Sequence, residues 1–178
     1  NWRSAGGGPE RLPFELYPWD TERTLEQVNQ NAAGVTKAAQ IFNTLFGLTE
    51  FKVQLGDRIH HHLFNQGALT VPACLSRWQN YTNRLYTAMI AESARWGDYK
   101  RDTTGETTLY TRDDHWIPES VRLVEHYFPA RSAEVLADWR AAQWYPNVEA
   151  PAFNQHGGGV QHGFNLIIDP GNAGTLWY

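Results

Sequence analysis

Apolar residues recur every three to four positions from Lys37 to about residue 145, a spacing that predicts a helical body over that stretch. Ile41, Leu45 and Leu48 fall on one face, with Phe42 and Phe46 beside them, and Gly47 weakens the end of this first helix. A second helix starts near Thr49, with Phe51, Leu55, Ile59 and Leu63 inward and Val53 and Phe64 widening the stripe. Asn65-Gln66-Gly67 ends it, with Gly67 expected in the left-handed conformation of a helix C-terminus. Thr70 opens the longest helix, in which Pro72 is tolerated in the first turn. Leu75, Trp78, Leu85, Met89 and Trp96 line that helix, Gly97 marks its end, and the charged, Thr-rich residues 98–112 read as loop. Val121, Val124, Tyr127 and Phe128 make a fourth helix that Pro129 breaks, and Ser132 caps a fifth carrying Val135, Leu136 and Trp139. Helices are thus predicted near 37–47, 50–65, 70–97, 114–128 and 131–143. Leu55, Ile59, Leu63, Leu75, Trp78, Leu85 and Met89 are the expected core.

The flanks follow another grammar. Residues 1–13, with Gly6-Gly7-Gly8-Pro9, read as loop, and residues 26–36 as irregular. Phe14-Glu15-Leu16-Tyr17 alternates and reads as a short strand stopped by Pro18. After Pro151 the chain reads as β: a turn at Gly157-Gly158-Gly159, a run at Phe164–Ile168, a turn at Asp169-Pro170-Gly171-Asn172 and a last run at Thr175–Tyr178. Both ends read as cut, the first at Asn1 without a leader pattern and the second on Leu176-Trp177-Tyr178.

Composition narrows the classes. A chain of 178 residues suits one ordinary domain, or one domain and part of another. The single cysteine, Cys74, excludes an internal disulfide framework and a cysteine-based zinc site. A net charge of −4 argues against a general nucleic-acid binder. No apolar run reaches the roughly 18 residues that a membrane span requires. The aromatic content, eight each of Trp, Tyr and Phe, supplies large contact area for a core, a partner or a sugar surface.

Several clusters could carry chemistry. His60, His61 and His62 are consecutive, so a helix points them about 100° apart and they cannot all face one metal. Asp57 with His61, and Arg58 with His62, have the spacing of a helical pair; the alternatives are half of a metal site and a polar helix face. Asp113, Asp114 and His115 could serve metal or acid–base work, or complement a helix start. His156 and His162 flank the glycine turn without an evident third ligand. Cys74 lies near a helix start, as a stabilised thiolate or a small buried residue. Asp20 follows a predicted strand beside aromatic residues, where a carboxylate can hold Mg²⁺ against a phosphate or cap a turn.

Phe14–Leu25, with Trp19-Asp20-Thr21-Glu22-Arg23-Thr24, resembles the WD-x-(D/E)-x-T segment of the CotH kinase family, spore-coat-type secretory protein kinases. Asp57–Thr70 is similar to that family's DR-x-x-x-x-x-F-N-x-G-A-L-T helix in large multidomain bacterial members. Ala91–Asp98, Tyr110–Trp116 and Tyr127–Arg131 extend the likeness, which spans about residues 10–148. The tail from Ala150 resembles the opening of a chitobiase C-terminal-type β-sandwich module.

The resemblance implies a distant protein-kinase-like fold with Asp20 as the Mg²⁺ ligand and Asn1, from a D-N-W-like segment, on the nucleotide side. It implies ATP and Mg²⁺ as cofactors, a secreted or surface protein as substrate, and a secreted or cell-surface location. The N-lobe that grips ATP would lie upstream, so the chain alone is expected to be inactive. The expected fold is mainly α, a helical C-lobe-like body with a short N-terminal strand and a partial β tail. Residues 1–148 would be the C-terminal part of a kinase domain and 149–178 a partial sandwich-like module. Two further readings stand beside it: an extracellular interaction or carbohydrate-binding module, supported by the aromatic content and β tail, and a metal-dependent hydrolase using the His and Asp clusters. Polysaccharide is accordingly a second candidate partner, while nucleic acid and a membrane span are not expected.

Overall fold

A computed structural model describes residues 2–3, 15–16, 21, 24–31 and 40–171, with residues 2–3, 15–16, 40 and 41 as backbone. The protein is mainly helical, as the apolar spacing predicts. Among the described residues, strand β1 (Trp2–Arg3) pairs antiparallel with β2 (Glu15–Leu16). The helices are α1 (Gln40–Leu45), α2 (Thr49–Leu63), α3 (Val71–Leu85), α4 (Ala88–Thr104), α5 (Ile117–Arg122) and α6 (Phe128–Ala141). A wide π-type turn at Arg112–Trp116 leads into α5, and a second at Leu123–Tyr127 joins α5 to α6, so that the stretch is one nearly continuous helical run. A second antiparallel pair, β3 (Ala152–Phe153) and β4 (Ile168–Asp169), closes the described chain. Asn1, Asp20 and the run Thr175–Tyr178 lie outside the described residues.

Helix α2 follows its apolar stripe, with Ile59 buried at its centre and Leu55 and Leu63 half-buried. Its exit differs from expectation. Asn65, not Gly67, takes the left-handed conformation, at φ 57°. Gly67 instead lies against the end of the helix, where a Cβ would sit 2.6 Å from the carbonyl carbon of His62. The returning chain is tied there by Leu69 N–H donating to His62 O at 2.8 Å.

The long helix predicted over 70–97 is two helices. The interruption falls at Tyr86 and Thr87, one turn after the Thr82 hydroxyl donates to the carbonyls of Trp78 and Gln79, a bond type that bends helices. Gly97 does not end α4, which runs on through the stretch read as loop to Thr104 and terminates at Gly105 in the left-handed conformation. Gly97 is buried because Tyr110 crosses the helix there, its N–H donating to Gly97 O at 3.1 Å. A Cβ at Gly97 would meet Tyr110 O at 2.6 Å.

Pro129 does not break the chain, and Ser132 caps nothing. Both prolines of this region, Pro118 and Pro129, stand in the first turn of an α segment that directly follows a π turn. The widened turn displaces the carbonyl that a proline ring would strike, so the helix continues. Ser132 sits inside α6 and donates its hydroxyl to Leu69 O at 2.6 Å.

The core is lean. Among the described residues the buried large apolar side chains are Ile59, Leu123, Tyr127 and Tyr145. The expected core residues Leu75, Trp78 and Met89 are half-buried, while Leu85 is exposed, as are Leu48, Val53, Trp96 and Val121. Aromatic contacts supply much of the packing between elements. Trp144 meets Phe42 and Phe46 at ring-centroid distances of 5.0 and 5.8 Å, and Trp78 meets Phe128 at 5.8 Å. In the tail, the run Phe164–Ile168 is strand only at Ile168, and Phe164, Leu166 and Ile167 are exposed.

Candidate functional site

Two regions bring together residues far apart in sequence. The first is a clamp on the segment that follows Asp20. Residues 24–28 fold as turns, the first closed by Thr24 donating through backbone and hydroxyl to Thr21 O. Three side chains of the α5–α6 run then hold this segment by its carbonyls. Arg122 donates to Leu25 O at 2.8 Å, Tyr127 to Thr24 O at 2.7 Å and Arg131 to Val28 O at 2.6 Å. Tyr127 is 4% exposed, so its ring is buried while its hydroxyl reaches the clamped segment.

The second is an open groove of about 1680 Å³ between α2 and the chain that leaves α6. His60 and Tyr145 share a hydrogen bond of 2.8 Å across it. Phe64 stacks on His60 at 4.7 Å and on Tyr145 at 5.7 Å, so the three rings form one wall. The guanidinium of Arg140 lies 5.7 Å from the Tyr145 ring. Burial pushes the Tyr145 hydroxyl above its ordinary pKa, against a smaller opposite pull from Arg140. The unfolded chain therefore gives up this proton first, and stability falls as pH rises above about 10. Thermal melts between pH 9 and 11 should show a steeper loss for the wild type than for Tyr145→Phe. Equal slopes would place the hydroxyl in water.

The sequence candidates do not converge on one centre. His60 is committed to Tyr145, while the rings of His61 and His62 meet each other at 4.9 Å. Asp113 binds Arg112 at 2.6 Å, and that hydrogen bond holds its carboxyl below the usual aspartate range. Thr111 is the cap of this helical start, accepting from Asp114 N–H at 3.0 Å while its hydroxyl donates to the Asp114 carboxylate at 2.8 Å. His115 accepts from Thr111 N–H at 3.0 Å and stacks on Tyr110. His156 lies edge-on to Phe153, and His162 is exposed. Cys74 is half-buried, with its thiol directed to Ala68 O at 3.8 Å. Among the described residues no group of three or more His, Cys, Asp or Glu stands together to hold a metal ion.

A smaller hollow of about 230 Å³ opens between α3 and α5, walled by Trp78, Tyr86, Trp116 and Val124. Two buried polar atoms without a hydrogen-bond partner, Trp78 Nε1 and Ser120 Oγ, belong to residues of that wall. Sequence reasoning missed both concavities. The groove draws on residues between Thr49 and Leu166, and only the overall packing makes them neighbours. No described helix is long and apolar enough to cross a membrane. No protein-family model, curated protein or solved structure matches the chain.

Proposed function

We propose that residues 1–148 are the C-terminal part of a CotH-like atypical protein kinase domain, followed by a partial sandwich-like module at 149–178. One observation carries this reading: the stretches that resemble the family pack on one another. Thr24 and Leu25, from the stretch containing Asp20, are held by Tyr127 and Arg122, and Arg131 holds Val28 just beyond. Gly97 is packed under Tyr110, which joins the Ala91–Asp98 and Tyr110–Trp116 stretches. Leu69, in the Asp57–Thr70 stretch, accepts from Ser132, next to Arg131.

In this reading Asp20 would hold Mg²⁺, Asn1 would stand on the nucleotide side, and the bound ion would neutralise charge on the ATP phosphates during transfer. The chain's own contribution is positional. Arg122, Tyr127 and Arg131 fix the backbone at Leu25, Thr24 and Val28, which follow Asp20 closely in sequence. The acceptor would be a secreted or surface protein, and the protein itself would be secreted or at the cell surface.

The test uses a chain extended upstream to include the ATP-gripping lobe. That chain should phosphorylate itself or an acceptor, and Asp20→Asn should abolish transfer while leaving the helical circular dichroism unchanged. The 178-residue chain alone should show no appreciable autophosphorylation. Full activity of the Asp20→Asn variant would reject the role.

A further inference from the structure

We propose that the groove between α2 and the exit of α6 binds an acidic polysaccharide, a chain of sugars bearing carboxylates. Lys52, Arg77 and Arg140 line the groove, and Asp57 is the one carboxylate residue among its lining. None of the three cations is ion-paired among the described residues. The ion pairs lie elsewhere, at Arg101–Asp102, Arg112–Asp113 and Arg122–Glu119. A chain of net charge −4 thus presents a locally cationic channel.

Two of these cations are also preorganised. Arg77 donates to Ala68 O, and Arg140 Nε donates to Pro146 O at 3.3 Å. Arg77 Nη2 also donates to Cys74 Sγ at 3.5 Å, and the other N–H groups of each guanidinium fork remain for a carboxylate.

Asn65, Gln66, Gln143 and Asn147 reach the groove with no side-chain hydrogen bond to described residues. An amide offers both a donor and an acceptor, which suits sugar hydroxyls. The volume of about 1680 Å³ exceeds the roughly 300–1,000 Å³ of a small-molecule pocket and admits several sugar units.

Other polymers fit less well. The rings of His60, Phe64 and Tyr145 stack on one another, which leaves fewer faces for stacking bases. Strands β3 and β4 are two residues each, too short an edge to pair with an extended peptide.

Titration calorimetry on the 178-residue chain, with galacturonate hexamer, maltohexaose and polyglutamate as probes, tests this. The hexagalacturonate should bind at least tenfold more tightly than either other probe, and its affinity should fall with added salt. The double variant Lys52→Gln/Arg77→Gln should lose at least tenfold in affinity, whereas Arg84→Gln, at an exposed position outside the groove, should not change it. If the double variant loses its helical signal, Lys52→Gln alone should still weaken binding about threefold. Equal binding of maltohexaose would remove charge as the selector, and equal binding of polyglutamate would make the groove an acidic-peptide site. Either result, or no binding at millimolar hexagalacturonate, overturns the proposal. Phosphoryl transfer plays no part in the readout.

Discussion

Substituting Gly67 by valine will destabilise the protein by about 3 kcal/mol, the upper range for forcing atoms into packed structure. The added Cβ alone would collide with the carbonyl groups of His61 and His62, which are backbone atoms closing helix α2. A flexible side chain could swing aside, but these carbonyls cannot move without breaking the turn. That turn holds Gly67 N–H on Phe64 O at 2.8 Å and Leu69 N–H on His62 O at 2.8 Å. Losing it would also free Leu69 O from Ser132, uncoupling α2 from α6. The control is Gly56, inside α2, where a Cβ meets nothing within 4 Å. Gly56→Ala should therefore stabilise by about 0.5–1 kcal/mol, the helix-interior difference between the two residues. Urea unfolding followed by circular dichroism measures both. Similar midpoints for the two variants would show that the exit of α2 is not packed as described.

Tyr127→Ala is expected to cost about 3–5 kcal/mol, the range for deleting a buried aromatic ring. The residue is 4% exposed and packs edge-on to Phe128 with centroids 5.6 Å apart. Tyr127→Phe separates the ring from the hydroxyl. It keeps the packing and removes only the bond to Thr24 O, at a cost of about 1–2 kcal/mol. Hydrogen exchange should then quicken at residues 24–31 while α3 and α4 stay protected. Arg131→Ala should act on the same segment through Val28 O, and the double variant with Tyr127→Phe should depart from additivity. Strict additivity and unchanged exchange would mean that the three side chains do not act as one clamp.

What could be read from the sequence depended on whether a signal was local. Helix α2 was legible because Phe51, Leu55, Ile59 and Leu63 repeat on one face, and the start of α3 because Thr70 and Pro72 are strong local markers. Gly97 misled for a tertiary reason. A glycine before a Thr-rich stretch looks like a helix end, yet here it makes room for the backbone of Tyr110. Pro129 misled because apolar spacing carries no mark of the π turn that accommodates it. The clusters at residues 60–62 and 113–115 were visible as chemistry, but their hydrogen bonds belong to helix packing and capping. The groove was not visible at all, because Lys52, Arg77 and Arg140 come from three separate helices. Asp20 and Asn1 rest on the family likeness, outside the described residues.

The clamp has a consequence for how the chain is made. Residues 24–28 are bonded to partners 97 to 103 positions later. A ribosome adds about 5–20 residues per second, so roughly 5–20 s pass before Arg122, Tyr127 and Arg131 emerge. Through that interval the carbonyls of Thr24, Leu25 and Val28 face only water, and α2, α3 and α4 can form without them. The early segment is thus completed late, and a nascent chain halted before residue 122 would carry α2, α3 and α4 but leave this stretch open to proteases.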